Sequence, residues 1–174
     1  MHINFSGDFT VKTPRQEVYA FLTDPERFCP ILPDFRGMTR EDAEHFTMTL
    51  SLGISHIRGD AKIRMTLAEA VPPTHAAYVG KGDVIGATVT MTAAFDLTEV
   101  PEGTKVAWRG DSQIVGRLVS LAGGLLEPLA KKNLMKMIDG LQAAFTDDKQ
   151  TVRAWWRIVV EQTRGIRTRT EVDR

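Results

Sequence analysis

The sequence predicts an α+β domain in which a curved antiparallel sheet wraps around one long C-terminal helix, with two short helices after the first strand. Three observations predict this class. Apolar and polar residues alternate in six segments, the pattern of strands with one buried face. Turn residues separate consecutive segments, so neighbouring segments are expected to pair. After Gly116 the apolar period changes from two residues to about 3.6, which indicates a helix.

The first alternating segment covers residues 1–11, and two short helices follow it. Thr13 and Pro14 are a suitable N-cap and first helical residue for a helix over 14–22. Asp24-Pro25-Glu26 starts the second helix in the same way, and the prolines that follow end it. The remaining predicted strands are 44–52, 57–69, 74–80, 85–97 and 104–115, separated by turns at Pro72-Pro73, Lys81-Gly82-Asp83 and Pro101-Glu102-Gly103.

The long helix is predicted over residues 117–145, where it covers the apolar face of the sheet. Its first part, 117–130, carries leucines on two sides of the helical wheel and is apolar nearly all round. Gly123-Gly124 and Pro128 weaken this part. We therefore expect a deformable lid that covers a pocket mouth and can meet a membrane or a partner.

The composition indicates the cellular compartment and argues against a nucleic-acid partner. The chain has 174 residues, enough for one domain and an extension. Its net charge is zero, so no overall field recruits nucleic acid, and no nucleic-acid partner is expected. Cys29 is the only cysteine, which excludes an intrachain disulfide and favours a reducing compartment. The N-terminus lacks the pattern of a signal peptide, so we expect a cytoplasmic protein.

The sequence offers no catalytic signature. Its four histidines show no metal-ligand spacing, and the motifs of serine hydrolases, zinc proteases and P-loop enzymes are missing. The predicted inward positions are apolar except for Ser112 and Tyr78. Acid–base chemistry needs a titratable group aimed at the substrate. We therefore predict no catalytic residue, no metal and no cofactor.

The inward face contains several small residues and four methionines, Met48, Met65, Met91 and Met137. Small residues leave space under the helix, and methionine lines irregular spaces well. A close-packed core is the alternative at this point.

Three stretches resemble the CoxG family of carbon monoxide dehydrogenase accessory proteins, within the helix-grip, START-like SRPBCC superfamily. They are FSGDFTVKTPRQEVYAFLTDPERFCPILP, VGKGDVIGATVTMTAAFDL and GTKVAWRGDSQIVGRLVSLAGG, within about residues 1–145. The family pattern has Pro-Gly where this chain has Pro33-Asp34. The resemblance implies a hydrophobic cavity between sheet and helix, which favours a ligand pocket over a filled core. The predicted ligand-binding residues are Phe46, Met48, Leu50, Ile63, Met65, Val89, Met91, Phe95, Trp108, Leu118, Leu121, Leu125 and Leu129.

The resemblance also implies a function and a location. Members of this family are accessory proteins of molybdenum hydroxylases of the carbon monoxide dehydrogenase type, associated with the inner face of the cytoplasmic membrane. A lipid or a quinone is the implied cargo, since such an enzyme passes electrons toward the membrane. A cyclase-like or aromatase-like enzyme using the same cavity is one alternative, and an assembly factor without a ligand is the other.

The domain is predicted to end at residue 146, and residues 147–174 form a basic extension. Residues 150–174 hold six arginines and three acidic residues, a net charge of +3. Tryptophan beside arginine suits a lipid headgroup region or a protein interface. Packing of the two tryptophans on the domain is the alternative. The predicted membrane or partner contacts are Arg153, Trp155, Trp156, Arg157 and Val159.

Overall fold

The computed structural model describes residues 1–145, which contain seven strands and three α-helices. The strands are β1 (His2–Val11), β2 (Phe35–Arg40), β3 (His45–Ile54), β4 (Ile57–Val71), β5 (His75–Val84), β6 (Ala87–Val100) and β7 (Gly103–Gly116). The helices are α1 (Arg15–Leu22), α2 (Pro25–Phe28), a following 3-10 turn (Cys29–Ile31) and α3 (Arg117–Ala144).

All seven strands form one antiparallel sheet in the order β1-β7-β6-β5-β4-β3-β2. Five consecutive hairpins join β2 to β7, and β1 pairs with β7 at the far edge. The long helix α3 crosses one face of this sheet, and α1 and α2 follow β1. The predicted α+β class and element order are therefore confirmed.

Two local predictions were wrong. The edge strand β2 was missed, because FRGMTR does not alternate clearly and pairs with β3 alone among the described strands. The turn expected at Lys81-Gly82-Asp83 lies inside β5, and the chain reverses at Ile85-Gly86 instead. Both residues of that turn have positive φ, 41° and 72°, as two-residue hairpins of the right twist require.

Apolar side chains on the concave face form rows across the sheet, because residues in register lie side by side. The first row contains Met48, Ile63, Val89 and Ile114, and it lies one step along the strands from Ala61, Val84 and Ala87, which flank the Ile85-Gly86 turn. The second contains Phe46, Met65, Met91, Ser112 and Ile3, the third Tyr78, Ala93, Gly110 and Phe5, and the fourth Phe95 and Trp108. The fifth contains Leu97, Val106 and Phe9.

Two clusters of buried residues hold α3 on the sheet. The first cluster joins Leu118, Ala122 and Leu126 to the first row and its neighbours. The second joins Ile138 and Leu141 to the fifth row and to α1 residues, among them Val18, Phe21 and Leu22. The helix is thus packed near both of its ends.

Hydrogen bonds also fix both ends of α3. The Arg117 N–H donates to the Gly86 carbonyl at 3.0 Å, next to the β5–β6 turn. At the other end the buried Thr13 hydroxyl donates to the Phe145 carbonyl at 2.8 Å, and the Thr104 hydroxyl donates to the Thr13 carbonyl at 2.7 Å. The Gly86 and Thr13 contacts satisfy backbone groups that the ends of α3 leave unpaired, and the Thr104 bond holds Thr13 in place.

Candidate functional site: an apolar cavity

An apolar cavity of about 330 Å³ lies between the sheet and α3, between the two packed clusters. Its floor consists mainly of the second, third and fourth rows of the sheet. The space exists because the third row has small residues: Ala93 and Gly110 both line the cavity. A Cβ added to Gly110 would have the Thr92 carbonyl oxygen, at 3.8 Å, as its nearest neighbour.

The roof comes from the second half of α3. One stripe of the helix, with residues three or four positions apart, faces the sheet there. It contains Ala130, Asn133, Leu134, Met137 and Leu141. One side is closed by the segment after α1, which contributes Phe28, Ile31, Leu32 and Pro33. Asp34 follows with a φ of 59°, the conformation that the glycine of the family pattern would adopt without strain.

Seven of the predicted ligand-binding residues lie on the cavity wall: Phe46, Met48, Leu50, Met65, Met91, Phe95 and Trp108. All four methionines noted in the sequence line it as well. Contact with a ligand stays a prediction for these residues.

Six predicted residues lie elsewhere. Ile63, Val89 and Leu118 are buried in the first cluster, and Leu129 packs against it. Leu121 and Leu125 are exposed on the outer face of α3, by 69% and 52%. The reason is the rotation of α3: Leu118, Ala122 and Leu126 fill the space over the first row, so the alternative leucine stripe points away from the sheet.

The expected lid over residues 117–130 does not lie over the cavity, apart from its last residue. The cavity begins at Ala130, so the first half of α3 covers packed core instead. The cavity wall also includes Asn133, Leu134 and the 28–33 segment, which are not among the predicted ligand-binding residues. The three- and four-residue spacing of Ala130, Asn133, Leu134 and Met137 was the available signal.

Burial favours the neutral forms of two titratable groups near the cavity, Tyr78 and Cys29. Tyr78 donates a hydrogen bond from its hydroxyl to the Leu22 carbonyl at 2.8 Å, and burial raises its pKa well above the ordinary value. Burial, with the nearby Asp24 charge, raises the pKa of the Cys29 thiol to about 12. A thiol in this state is a poor nucleophile near neutral pH.

Residues 1–145 contain neither a metal-binding cluster nor a membrane-spanning helix. No cluster of three or more His, Cys, Asp or Glu side chains in this part could hold a metal ion. None of the helices described here is long and apolar enough to cross a membrane. The predicted contacts Arg153, Trp155, Trp156, Arg157 and Val159, and the predicted domain boundary at 146, lie outside the described residues.

A seven-stranded antiparallel sheet that holds one long C-terminal helix, with two short helices after β1, defines the helix-grip class of proteins. Within that class, the family model for CoxG, the G subunit of carbon monoxide dehydrogenase, matches residues 7–146. The chain therefore belongs to the CoxG family. No curated protein matches it in sequence.

Solved structures share the fold at low sequence identity. A conserved protein from Geobacillus kaustophilus has a TM-score of 0.71 at 18% identity, over 80% of this chain and 93% of that one. Protein CV1439 from Chromobacterium violaceum has a TM-score of 0.62 at 16% identity, over 83% and 99%. The di-domain ARO/CYC StfQ of the steffimycin biosynthetic pathway has a TM-score of 0.62 at 15% identity, over 83% of this chain and 50% of that one. At these identities the likeness concerns the fold.

Proposed function

We propose that the protein is a noncatalytic carrier of an apolar molecule, a lipid or a quinone, for a molybdenum hydroxylase of the carbon monoxide dehydrogenase type at the cytoplasmic membrane. The observation that carries this proposal is the cavity of about 330 Å³ between sheet and α3. A void of this size lined by Met, Phe and Leu side chains costs stability if it stays empty. Such pockets are typical ligand sites.

The chemistry of the cavity wall supports a carrier over a cyclase-like enzyme. Among the described residues on that wall, Tyr78 is the only titratable side chain that faces inward, and its hydroxyl is already bound to the Leu22 carbonyl. Arg109 and Asp111 belong to the opposite face of the sheet, where Asp96 and His2 pair with them. General acid–base catalysis would need a free pair inside the cavity.

The test of the carrier is extraction of the purified protein with organic solvent, followed by mass spectrometry. We expect one molar equivalent of an isoprenoid quinone or a lipid. Ala93→Leu should reduce this amount severalfold, because the added atoms enter the cavity. Ala107→Leu is the matched control on the other face of the sheet and should extract like the wild type. Empty extracts from the wild type would favour an assembly factor without a ligand.

A carrier that exchanges cargo with a bilayer needs a surface that touches lipid. Leu121 and Leu125 lie one turn apart and form an exposed pair, the outer leucine pair, on α3. Arg117, Lys131 and Lys132 are exposed on the same helix and would favour anionic headgroups. We propose that this pair enters the headgroup region together with the tail residues Arg153, Trp155, Trp156, Arg157 and Val159.

Cosedimentation with phosphatidylcholine–phosphatidylglycerol vesicles tests this contact. The double change Leu121→Asp with Leu125→Asp should lower binding about tenfold or more, since two leucines leave the lipid. Val71→Asp changes a similarly exposed apolar residue on β4 and should bind like the wild type. Deletion of residues 147–174 measures the contribution of the tail. Unchanged vesicle binding in the double leucine variant and in the deletion variant would exclude the proposed membrane contact.

A further inference from the structure

Besides Tyr78, whose hydroxyl is bound to the Leu22 carbonyl, and Trp108, whose buried indole Nε1 has no partner among the described residues, the cavity wall carries two further uncharged polar side chains that face inward. Ser112 faces inward from β7, in register with Ile3 on one side and Met91 on the other. Asn133 belongs to the stripe of α3 that forms the roof, between Ala130 and Met137. Neither side chain forms a hydrogen bond with any residue in the described part of the chain.

Unpaired polar groups in an apolar space are unfavourable unless something else binds them. A hydroxyl or an amide loses free energy when it leaves water without a new partner, and native proteins pair nearly all such groups. Ser112 can donate one hydrogen bond and Asn133 can donate two, and both can accept. Apolar pockets commonly orient their ligand with a few polar groups of this kind.

The charges around the cavity restrict which head group fits. No lysine or arginine side chain among the described residues faces into the cavity. Arg109 lies on the opposite face of the sheet, where it donates to Asp96 at 2.9 Å. A carboxylate or phosphate head would therefore enter without a counter-charge, which is costly in an apolar site. The head group that matches the wall is neutral.

The second row of the sheet also gives the ligand a direction. Starting from Ser112 on β7, the row continues through Met91 on β6 and Met65 on β4 to Phe46 on β3. These strands are about 4.8 Å apart, so the apolar part of the row extends roughly 19 Å from Ser112. Gly80 on β5 leaves room in the middle of the row for Met65 and Met91, because a Cβ at this position would collide with both side chains.

We propose that Ser112 and Asn133 bind the polar end of an uncharged ligand that carries a carbonyl or hydroxyl group, with its apolar part directed along this row toward β3. This inference rests on the proposed carrier function and adds the class of ligand and its orientation. Asn133 donates to the ligand oxygen from the roof, and Ser112 donates or accepts from the floor.

Calorimetric titration with three probes of similar size tests the assignment. The probes are benzylacetone, a neutral ketone, butylbenzene, which has no polar group, and phenylbutyrate, an anion. We expect the wild type to bind benzylacetone at least about tenfold more tightly than phenylbutyrate. Ser112→Ala and Asn133→Leu should each weaken benzylacetone binding about 3- to 10-fold, because each removes a hydrogen bond. Butylbenzene binding should stay within about twofold.

Three further measurements keep the result interpretable. Ser112→Thr retains a hydroxyl and should retain ketone binding, which separates hydrogen bonding from altered folding. Ser6→Ala, on the outer face of β1, is the matched control and should change nothing. Butylbenzene binding with equal ketone affinity in wild type, Ser112→Ala and Asn133→Leu would overturn the inference while leaving the carrier intact. A wild type that binds none of the probes would overturn both proposals.

Discussion

The two halves of α3 differ in where they leave their apolar surface. Residues 117–129 pack tightly on the sheet through Leu118, Ala122 and Leu126, yet expose Leu121 and Leu125 on the outside. Residues 130–144 cover the cavity on the inside, and on the outside they expose Lys131 and Lys132 together with one apolar side chain, Met135. One helix thus separates an inner binding surface from an outer apolar surface along its length.

Both features lower the stability of the folded protein. A cavity loses packing contacts, and exposed leucines gain nothing from folding. The first half of α3 departs from the most stable arrangement mainly through its two exposed leucines, and the second half mainly through the cavity. Departures of this kind are expected at functional sites. The cavity and the outer leucine pair are therefore the two places to test, and the packed interior of the first half is the reference.

The largest effect is expected from truncating the packed half. Leu118 is 1% exposed, and Leu118→Ala should lower the free energy of unfolding by about 3 kcal/mol or more, since it creates a new void. Leu134→Ala only enlarges an existing cavity and should cost about 1–2 kcal/mol. Urea denaturation measures both. Equal losses would show that the two halves are packed alike.

A smaller effect is expected at the end of the second half. Thr13→Val leaves the buried Phe145 carbonyl without its donor, which should cost about 1–2 kcal/mol. Hydrogen exchange should quicken in the last turn of α3 and stay unchanged around Leu118. The control is Thr23→Val, which removes a half-buried bond to the Tyr19 carbonyl within the α1 region. Faster exchange along the whole helix would mean that its two halves open together.

The smallest effect concerns a charged group on the convex face of the sheet. The pKa of His75 is raised because Glu69 and Asp96 accept hydrogen bonds from its ring, at 2.7 Å and 2.8 Å. The folded state therefore holds this proton more tightly than the unfolded chain does. The stabilisation is fully present below the ordinary pKa of 6.5 and is lost as pH rises through the folded pKa.

His75→Gln should consequently lower stability by less than about 1 kcal/mol near pH 6 and by almost nothing near pH 9. The same denaturation series, repeated at both values, provides the measurement. The difference between Leu118→Ala and Leu134→Ala should be the same at each pH, because neither side chain contacts this group of charges. If the difference in unfolding free energy between these two variants changed with pH, the charges around His75 would be energetically coupled to the packing of α3.

The sheet was largely predictable because alternation determines which way each side chain faces. A strand with one buried face repeats every two residues, so the facing of Met65 or Met91 follows from its position in the strand. The exceptions were backbone features. Gly82 marks close contact with β4 and not a turn, since a Cβ there would meet the Lys62 carbonyl oxygen. The true turn contains Ile85 at positive φ. Isoleucine rarely adopts this conformation, so the sequence does not indicate a turn there.

The helical part of the site was less predictable. In residues 117–129 two leucine stripes compete for the sheet, and periodicity does not rank them. The choice is made by tertiary packing, because Leu118, Ala122 and Leu126 together fit the surface of the first row. Beyond Ala130 one stripe dominates, and there the spacing does identify the cavity residues. Asn133 is the polar member of that stripe and is conspicuous only once the cavity is known.

The fixed ends of α3 determine how the cavity can open. A hinged flap needs one free end, but Gly86 holds the start of this helix and Thr13 holds its finish. Displacement is then greatest near mid-span, as in a beam supported at both ends. Pro128 stands there, and without an N–H it leaves the Gly124 carbonyl outside the hydrogen-bond ladder. Entry and exit of a ligand should therefore require a small bend of α3 beside Ala130.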